Sequence, residues 1–467
     1  MARTSSVRRT SRWLALATAV ASAFAIAAGP GASPGAPGIG DPYFPDLGNG
    51  GFDALHYDLG VSYEPGTGVL DGNATITARA TEDLSSFDLD LQKLTVGKVK
   101  VDGARAHFTR AGDELTVTPG HRLRKGKRFK VTVAYKGVPE ALSGPIVFGS
   151  RYGVMKTDDG VFIACEPNAA STWFPSSDHP SDKATYDISI DAPKGLTGVS
   201  NGVLVNSRTK GDRSYFHWRE SEPMATYLAT ATVGKFDVQQ GRTPGGIPIY
   251  VATDPVLPKG TVNVYDVTAA ATDYWSTLFG PYPFEETGAI VDDMPDAGFS
   301  LEVQSKPAYS AVRSESTIVH ELAHQWFGDS VSVKQWKNIW MNEGFATYAE
   351  WLWAEHKGTR TAHDALAAAY NARPATSAFW TSKVDDPQRD TMFGDAVYTR
   401  GAMTLEVLRE RIGDRAFFKL LPAWTAAHRH GNGTTEQFEA LAEKISGQDL
   451  GSLFQTWLES PTRPALP

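Results

Sequence analysis

Two histidines four residues apart, with a carboxylate between them, stand out in His320-Glu321-Leu322-Ala323-His324. On a helix such a spacing puts both imidazoles on one face, where they can reach a single Zn2+ while Glu321 is placed to take a proton from an attacking water. A third ligand can be sought by spacing. The metzincin pattern requires Gly and His where this chain has Phe327 and Ser330, so that ligand set is excluded. With one Cys in the chain, Cys165, no thiolate cluster can hold a metal and the remaining ligand must be His or a carboxylate. Glu343 meets the need. It opens the next helical pattern in Trp340-Met341-Asn342-Glu343-Gly344-Phe345-Ala346, and two packed helices would bring it beside the imidazoles as a His2Glu set with the fourth position open.

The elements that must position these groups follow from periodicity. Helices are expected over 262–278, 316–328, 342–357 and 402–412, the first stopped by Gly280-Pro281. From His56 to about Asp237 the texture is of strands and Gly-containing turns. Phe87, Leu89 and Leu91 alternate with Asp88 and Asp90, and Phe129, Val131, Val133 and Tyr135 alternate with Lys130, Thr132 and Ala134, as half-buried strands would. An antiparallel β domain followed by an α-rich domain with one short sheet is the expected order. The boundary falls near Gly241 to Ile247.

Composition narrows the class. With 41% apolar and 11% aromatic residues the chain is not a disordered one, and a formal charge of −8 argues against a nucleic-acid partner. Arg3, Arg8, Arg9 and Arg12 precede an apolar run from Trp13 to Ala28, the layout of a removable secretory signal over residues 1–28. The Gly- and Pro-rich stretch 29–45 reads as a linker. Export without the leader would take the charge to about −12 and make the protein secreted, with no stable membrane association.

The block His320-Glu321-Leu322-Ala323-His324-Gln325-Trp326-Phe327-Gly328-Asp329, followed by Asn342-Glu343-Gly344-Phe345-Ala346, resembles the M1 gluzincins, the aminopeptidase N and leukotriene A4 hydrolase family, and in particular their short secreted bacterial members. The resemblance runs from about His56 to the C-terminus. It implies a multidomain α+β fold, with an N-terminal antiparallel β saddle over 46–242 and a thermolysin-like α/β catalytic domain over 243–467. A large C-terminal helical domain is not expected, since 69 residues follow Tyr398. The implied activity is zinc-dependent release of N-terminal amino acids from peptides with a free N-terminus, using one Zn2+ per chain.

The resemblance also assigns roles. Glu302, in Gly298-Phe299-Ser300-Leu301-Glu302-Val303-Gln304, corresponds to the family acid that binds the substrate's α-amine, although the letters around it depart from G-x-M-E-N. Glu166, in Cys165-Glu166-Pro167, matches the second amine-binding acid. Tyr398, in Val397-Tyr398-Thr399-Arg400-Gly401-Ala402, matches the oxyanion-binding tyrosine, and Glu350 the acid that orients a zinc-bound imidazole. An endopeptidase or an epoxide hydrolase on the same zinc site, and a catalytically silent surface-binding protein, are the alternatives. Trp336, Trp340, Trp351 and Trp353 read as core packing, Cys165 as a buried small residue, and His428-Arg429-His430 as a helix end and turn. The preferred first residue and the oligomeric state are not set by the sequence.

Overall fold

A computed structural model describes residues 31–258 and 260–466 of the chain; the expected leader over 1–28 lies outside the described residues. The first domain is built on an eight-stranded sheet. Its centre is the run of strands Arg213–Ala225, Lys183–Pro193, Phe52–Glu64, Val69–Ala80 and Arg128–Gly137, laid side by side in that order. Pairing is antiparallel throughout that run except between Lys183–Pro193 and Phe52–Glu64, which lie parallel with Ile188 opposite Leu59. A five-stranded sheet holding Arg151–Lys156, Val161–Ala164 and Ala231–Gly234 completes the domain.

Strand Arg128–Gly137 alternates as the sequence requires, with Phe129, Val131, Val133 and Tyr135 buried. The stretch 87–91 does not. Phe87, Leu89 and Leu91 are buried, but so is Asp90, and the segment makes isolated bridges instead of a half-exposed strand. Asp90 goes inside because its carboxylate accepts from Asp178 N–H at 2.7 Å, Asn49 Nδ2 at 2.8 Å and Gly48 N–H at 3.2 Å.

The second domain opens with Asp237–Arg242, which pairs antiparallel with Pro248–Thr253 in a sheet that continues through Thr287–Val291. A division between 242 and 243 therefore falls in the turn of a hairpin whose two strands share one sheet. The longer helices are α1 (Val264–Leu278), α2 (Glu315–Ala323), α3 (Trp340–His356), α4 (Ala362–Asn371), α5 (Gly401–Ile412), α6 (Asp414–Ala427) and α7 (Thr435–Ser446), and a single turn, Gly451–Phe454, follows. Local chemistry starts and stops them. Ser314 caps α2 by accepting from Thr317 N–H, Thr434 and Gln437 form a reciprocal capping box on α7, and Gly447 in the left-handed conformation ends it.

Helix α2 is shorter than the expected 316–328. After His324 the backbone tightens, with Asp329 N–H donating back to His324 O at 2.9 Å, and turns at Gly328 with φ 140°. That turn is held from the first domain, where the half-buried Lys183 donates its ammonium hydrogens to Asp329 O at 2.6 Å and Ser330 O at 3.0 Å. One apolar core runs through both domains; a smaller cluster of Leu366, Trp380, Met403, Val407 and Trp457 packs beside it. Trp336, Trp340 and Trp353 lie in the main core and Cys165 is buried, as expected of packing residues. The described part of the expected linker, 31–45, is folded onto the body, with Tyr43 and Phe44 in the core. No helix among the described residues is long and apolar enough to cross a membrane, and no large C-terminal helical domain is found among them.

Candidate metal centre and active site

Helices α2 and α3 pack side by side and bring His320, His324 and Glu343 together, all buried, with their ligand atoms within 4.8 Å of one another. Glu343 Oε2 lies 3.3 Å from His320 Nε2 and 3.5 Å from His324 Nε2. A tetrahedral ion with ligands at about 2.0–2.1 Å has ligand–ligand edges of about 3.3 Å, so the spacing of these donors fits one zinc.

The far side of each ring is fixed as well. His324 Nδ1 faces Phe327 O at 3.0 Å; a carbonyl can only accept, so Nδ1 carries a proton and Nε2, on the Glu343 side, is the nitrogen left to serve as a metal ligand. His320 Nδ1 faces Glu350 Oε1 at 2.8 Å, and Ser316 Oγ donates to the other oxygen of Glu350. The short α2 matters here, because the tight turn after His324 folds the Phe327 carbonyl back onto its ring. Glu343 and Glu350, seven residues apart on α3, share one face and meet the two edges of His320.

Acids crowd the site. Burial alone would raise the Glu343 carboxyl, yet the two imidazoles bring it down to about 2. Burial pushes Glu321 up to about 7, and the same cause, reinforced by Glu302, Glu343 and Glu321, holds Glu166 well above the ordinary carboxylate range. Glu302, just after the strand pair Ser300–Leu301, is 2% exposed and accepts from the Tyr227 hydroxyl at 3.4 Å. Glu302, Glu321 and His324 also lie within 4.8 Å of one another. Glu166 Oε1 is buried with no hydrogen-bond partner. So many carboxylates in one pocket favour positive charge there.

Tyr398 sits on a π-helical turn, Ala396–Arg400, that runs into α5; its ring lies near-parallel to His320 at 6.1 Å between centroids. Buried Arg400 fastens that turn by donating to the carbonyls of Trp380, Ser382, Thr456 and Ser460. A cavity of about 170 Å³ beside Tyr398 and Glu166 is lined by Phe148, Phe299 and Phe393. The structure thus gathers all the sequence-selected groups, His320, Glu321, His324, Glu343, Glu350, Glu302, Glu166 and Tyr398. Tyr227, Arg400 and the three phenylalanines were not singled out from the sequence; Phe299 and Arg400 lie within the segments that carry Glu302 and Tyr398, and no local signal marks Tyr227, Phe148 or Phe393.

Fold and site together define a two-domain, zinc-type metallopeptidase architecture. Residues 53–228 match the Peptidase M1 N-terminal domain and residues 297–457 the Peptidase family M1 domain. The crystal structure of an M1 zinc metallopeptidase from Deinococcus radiodurans is 30% identical, superposes with a TM-score of 0.85, and the match covers 92% of this chain and 98% of that one. A variant of that protein bound to a Tyr-Ser-Ala substrate matches equally, at 28% identity and a TM-score of 0.85 over 92% of this chain and 99% of that one. Aminopeptidase N of Lactobacillus delbrueckii subsp. lactis is 26% identical over 450 residues, 89% of this chain and 52% of that protein. The chain belongs to peptidase family M1, whose members use one zinc ion. It spans between 36% and about half of the length of the first curated relatives it matches.

Proposed function

We propose that this protein is a zinc-dependent aminopeptidase that removes the first residue from peptides with a free N-terminus. The observation that carries the reading is the buried, unpartnered Glu166 oxygen in the same pocket as Glu302, beside the His320–His324–Glu343 set. Two buried acids close enough for Glu302 to raise Glu166 call for a cation, and a protonated α-amine supplies it. An internal peptide segment would leave both uncompensated, which favours cleavage at the end of a chain. The Deinococcus relative bound to Tyr-Ser-Ala, a short peptide, is consistent with this.

His320, His324 and Glu343 would hold the zinc. When bound, it supplies Lewis-acid polarisation of the scissile carbonyl and makes a water nucleophilic near neutral pH. Glu321, raised to about 7 by burial, takes the proton of the attacking water and passes it to the departing amine. Tyr398 donates its hydroxyl hydrogen to the oxygen of the carbonyl as charge develops on it, an interaction strongest in the tetrahedral state. Glu350 keeps the His320 ring in register. The first side chain of the peptide would enter the phenylalanine-lined cavity. At about 170 Å³ the cavity lies below the ~300 Å³ at which pockets for whole small ligands begin, so it suits one side chain.

The test is a panel of aminoacyl-arylamides and short peptides, with and without an N-terminal blocking group. The reading expects cleavage of the free forms only, abolished by a chelator. Equal cleavage of blocked substrates would favour an endopeptidase, and no cleavage of either a silent protein. Glu321→Gln should lower kcat by about 10²–10⁴-fold with zinc retained. The leader reading makes the protein secreted, and N-terminal sequencing of exported material would place the cut.

A further inference from the structure

Residues 36–50 form a closed loop on the body of the protein. Gly50 N–H donates to Ala36 O at 2.8 Å, and a Cβ on Gly38 would lie 2.0 Å from Pro45 O, so the two limbs touch. The tip carries Asp41, Tyr43 and Phe44, all buried. Asp41 Oδ1 accepts from Tyr43 N–H at 2.8 Å and Phe44 N–H at 3.2 Å. Its other oxygen accepts from Trp336 N–H at 3.0 Å and faces His179 Nε2 at 3.1 Å. Ser181 N–H donates to His179 Nδ1 at 3.1 Å, so the ring proton is on Nε2 and is given to Asp41. One carboxylate thereby ties the loop to both domains.

Two contacts of the tip, through Trp336 and through Tyr43, lead to the site. Trp336 opens the turn that enters α3 one turn ahead of Glu343. Its ring packs edge-on against Phe44 at 6.1 Å and against Tyr227 at 5.3 Å, and Tyr227 is the residue whose hydroxyl reaches Glu302. The Tyr43 hydroxyl donates to Asp386 Oδ1 at 2.6 Å and accepts from Gln388 N–H at 2.8 Å. Both partners lie on the stretch that runs to the Tyr398 turn, and Gln388 is held there at φ 71°, a conformation a non-glycine residue keeps only when its surroundings impose it.

We propose that the tip of the 36–50 loop is a positioning device for the active site, and that Tyr43 sets the placement of the Tyr398-bearing segment through Asp386 and Gln388. The inference rests on the aminopeptidase reading for its kinetic arm only. A loop that merely added stability would bind anywhere on the surface; this one bonds the two stretches of chain that enter the Glu343 helix and the Tyr398 turn.

Tyr43→Phe removes one oxygen and keeps the ring, so the fold is preserved. It should lower kcat on an aminoacyl-arylamide by roughly 3–10-fold, the equivalent of one hydrogen bond, with KM and zinc content unchanged. Amide exchange measured by mass spectrometry should accelerate over 386–398 and stay at the wild-type rate in α2 and α3. Asp386→Ala should reproduce both effects, and Asp386→Asn, which keeps an acceptor for the hydroxyl, should restore them. A wild-type kcat in Tyr43→Phe, or a uniform rise in exchange with no local focus, overturns the inference. Should the wild-type protein cleave no aminoacyl substrate, the functional reading fails alone; unchanged protection at Gln388 would then still sink the positional claim.

Discussion

At the scale of single residues the site depends on what stands behind the ligands. An imidazole binds a metal through one nitrogen only if the other is held, and His320 is held by a carboxylate while His324 is held by a carbonyl. The carboxylate is the stronger partner and the more exposed, with Glu350 also anchored by Ser316. Glu350→Ala should therefore weaken zinc binding by about 10–100-fold, read by competition against a chromogenic chelator, and Glu350→Gln, which keeps an acceptor, should fall between. Wild-type affinity in both would show that the Nδ1 contact does not tune the metal site. His320 and His324 were legible from their helical spacing and Glu343 from its place at the start of the next helical pattern, whereas Glu350 followed only from the resemblance to the M1 gluzincins. Tyr227 was not legible: it reaches Glu302 across 75 positions of chain, a distance over which no periodicity operates.

At the scale of elements the ligand geometry is set by how closely helices approach. Gly344, next to Glu343, faces Gly401 at the start of α5, and a Cβ on either would lie 2.9 Å from the other's Cα. Backbone cannot swing aside as a side chain can. Gly344→Ala should cost about 1–3 kcal/mol in denaturant unfolding, and should also weaken zinc binding because α3 must shift with Glu343 on it. A destabilised variant with unaltered affinity would show that the α3–α5 contact serves stability alone. Helix existence was readable: 264–278, 340–356 and 401–412 match their expected spans within two residues. The end of α2 was not, because Gly328 and the Lys183 clamp, both non-periodic features, decide it. Asp90 was misread for a related reason. Alternation reports exposure only when the polar residue lacks partners inside, and Asp90 has three.

At the scale of the whole molecule, the buried acids make stability depend on pH in a definite direction. Burial raises Asp182 and Glu220 in the first domain, and Asp292 at the end of strand Thr287–Val291 in the second, each to about 7. None of the three is a proposed metal ligand. A carboxyl whose folded pKa is raised binds more protons folded than unfolded between its ordinary value and 7, so its contribution to stability falls as pH climbs through that window. Each such group supplies a slope of up to about 1.4 kcal/mol per pH unit. Asp41 works in the opposite sense: against the upward push of burial, His179 and the Trp336 and Tyr43 N–H groups hold its carboxyl below the ordinary value. That stabilisation is present at neutral pH and is lost only in strong acid. The two trends place the optimum on the acidic side of neutrality. Urea unfolding at fixed temperature should give a free energy that declines from about pH 5 to pH 7.5, and Asp292→Asn should flatten the decline by up to one proton's worth. A free energy that rises across the interval would mean that the buried carboxyls are paired more strongly than their surroundings indicate, and an unaltered slope in Asp292→Asn would remove that residue from the set.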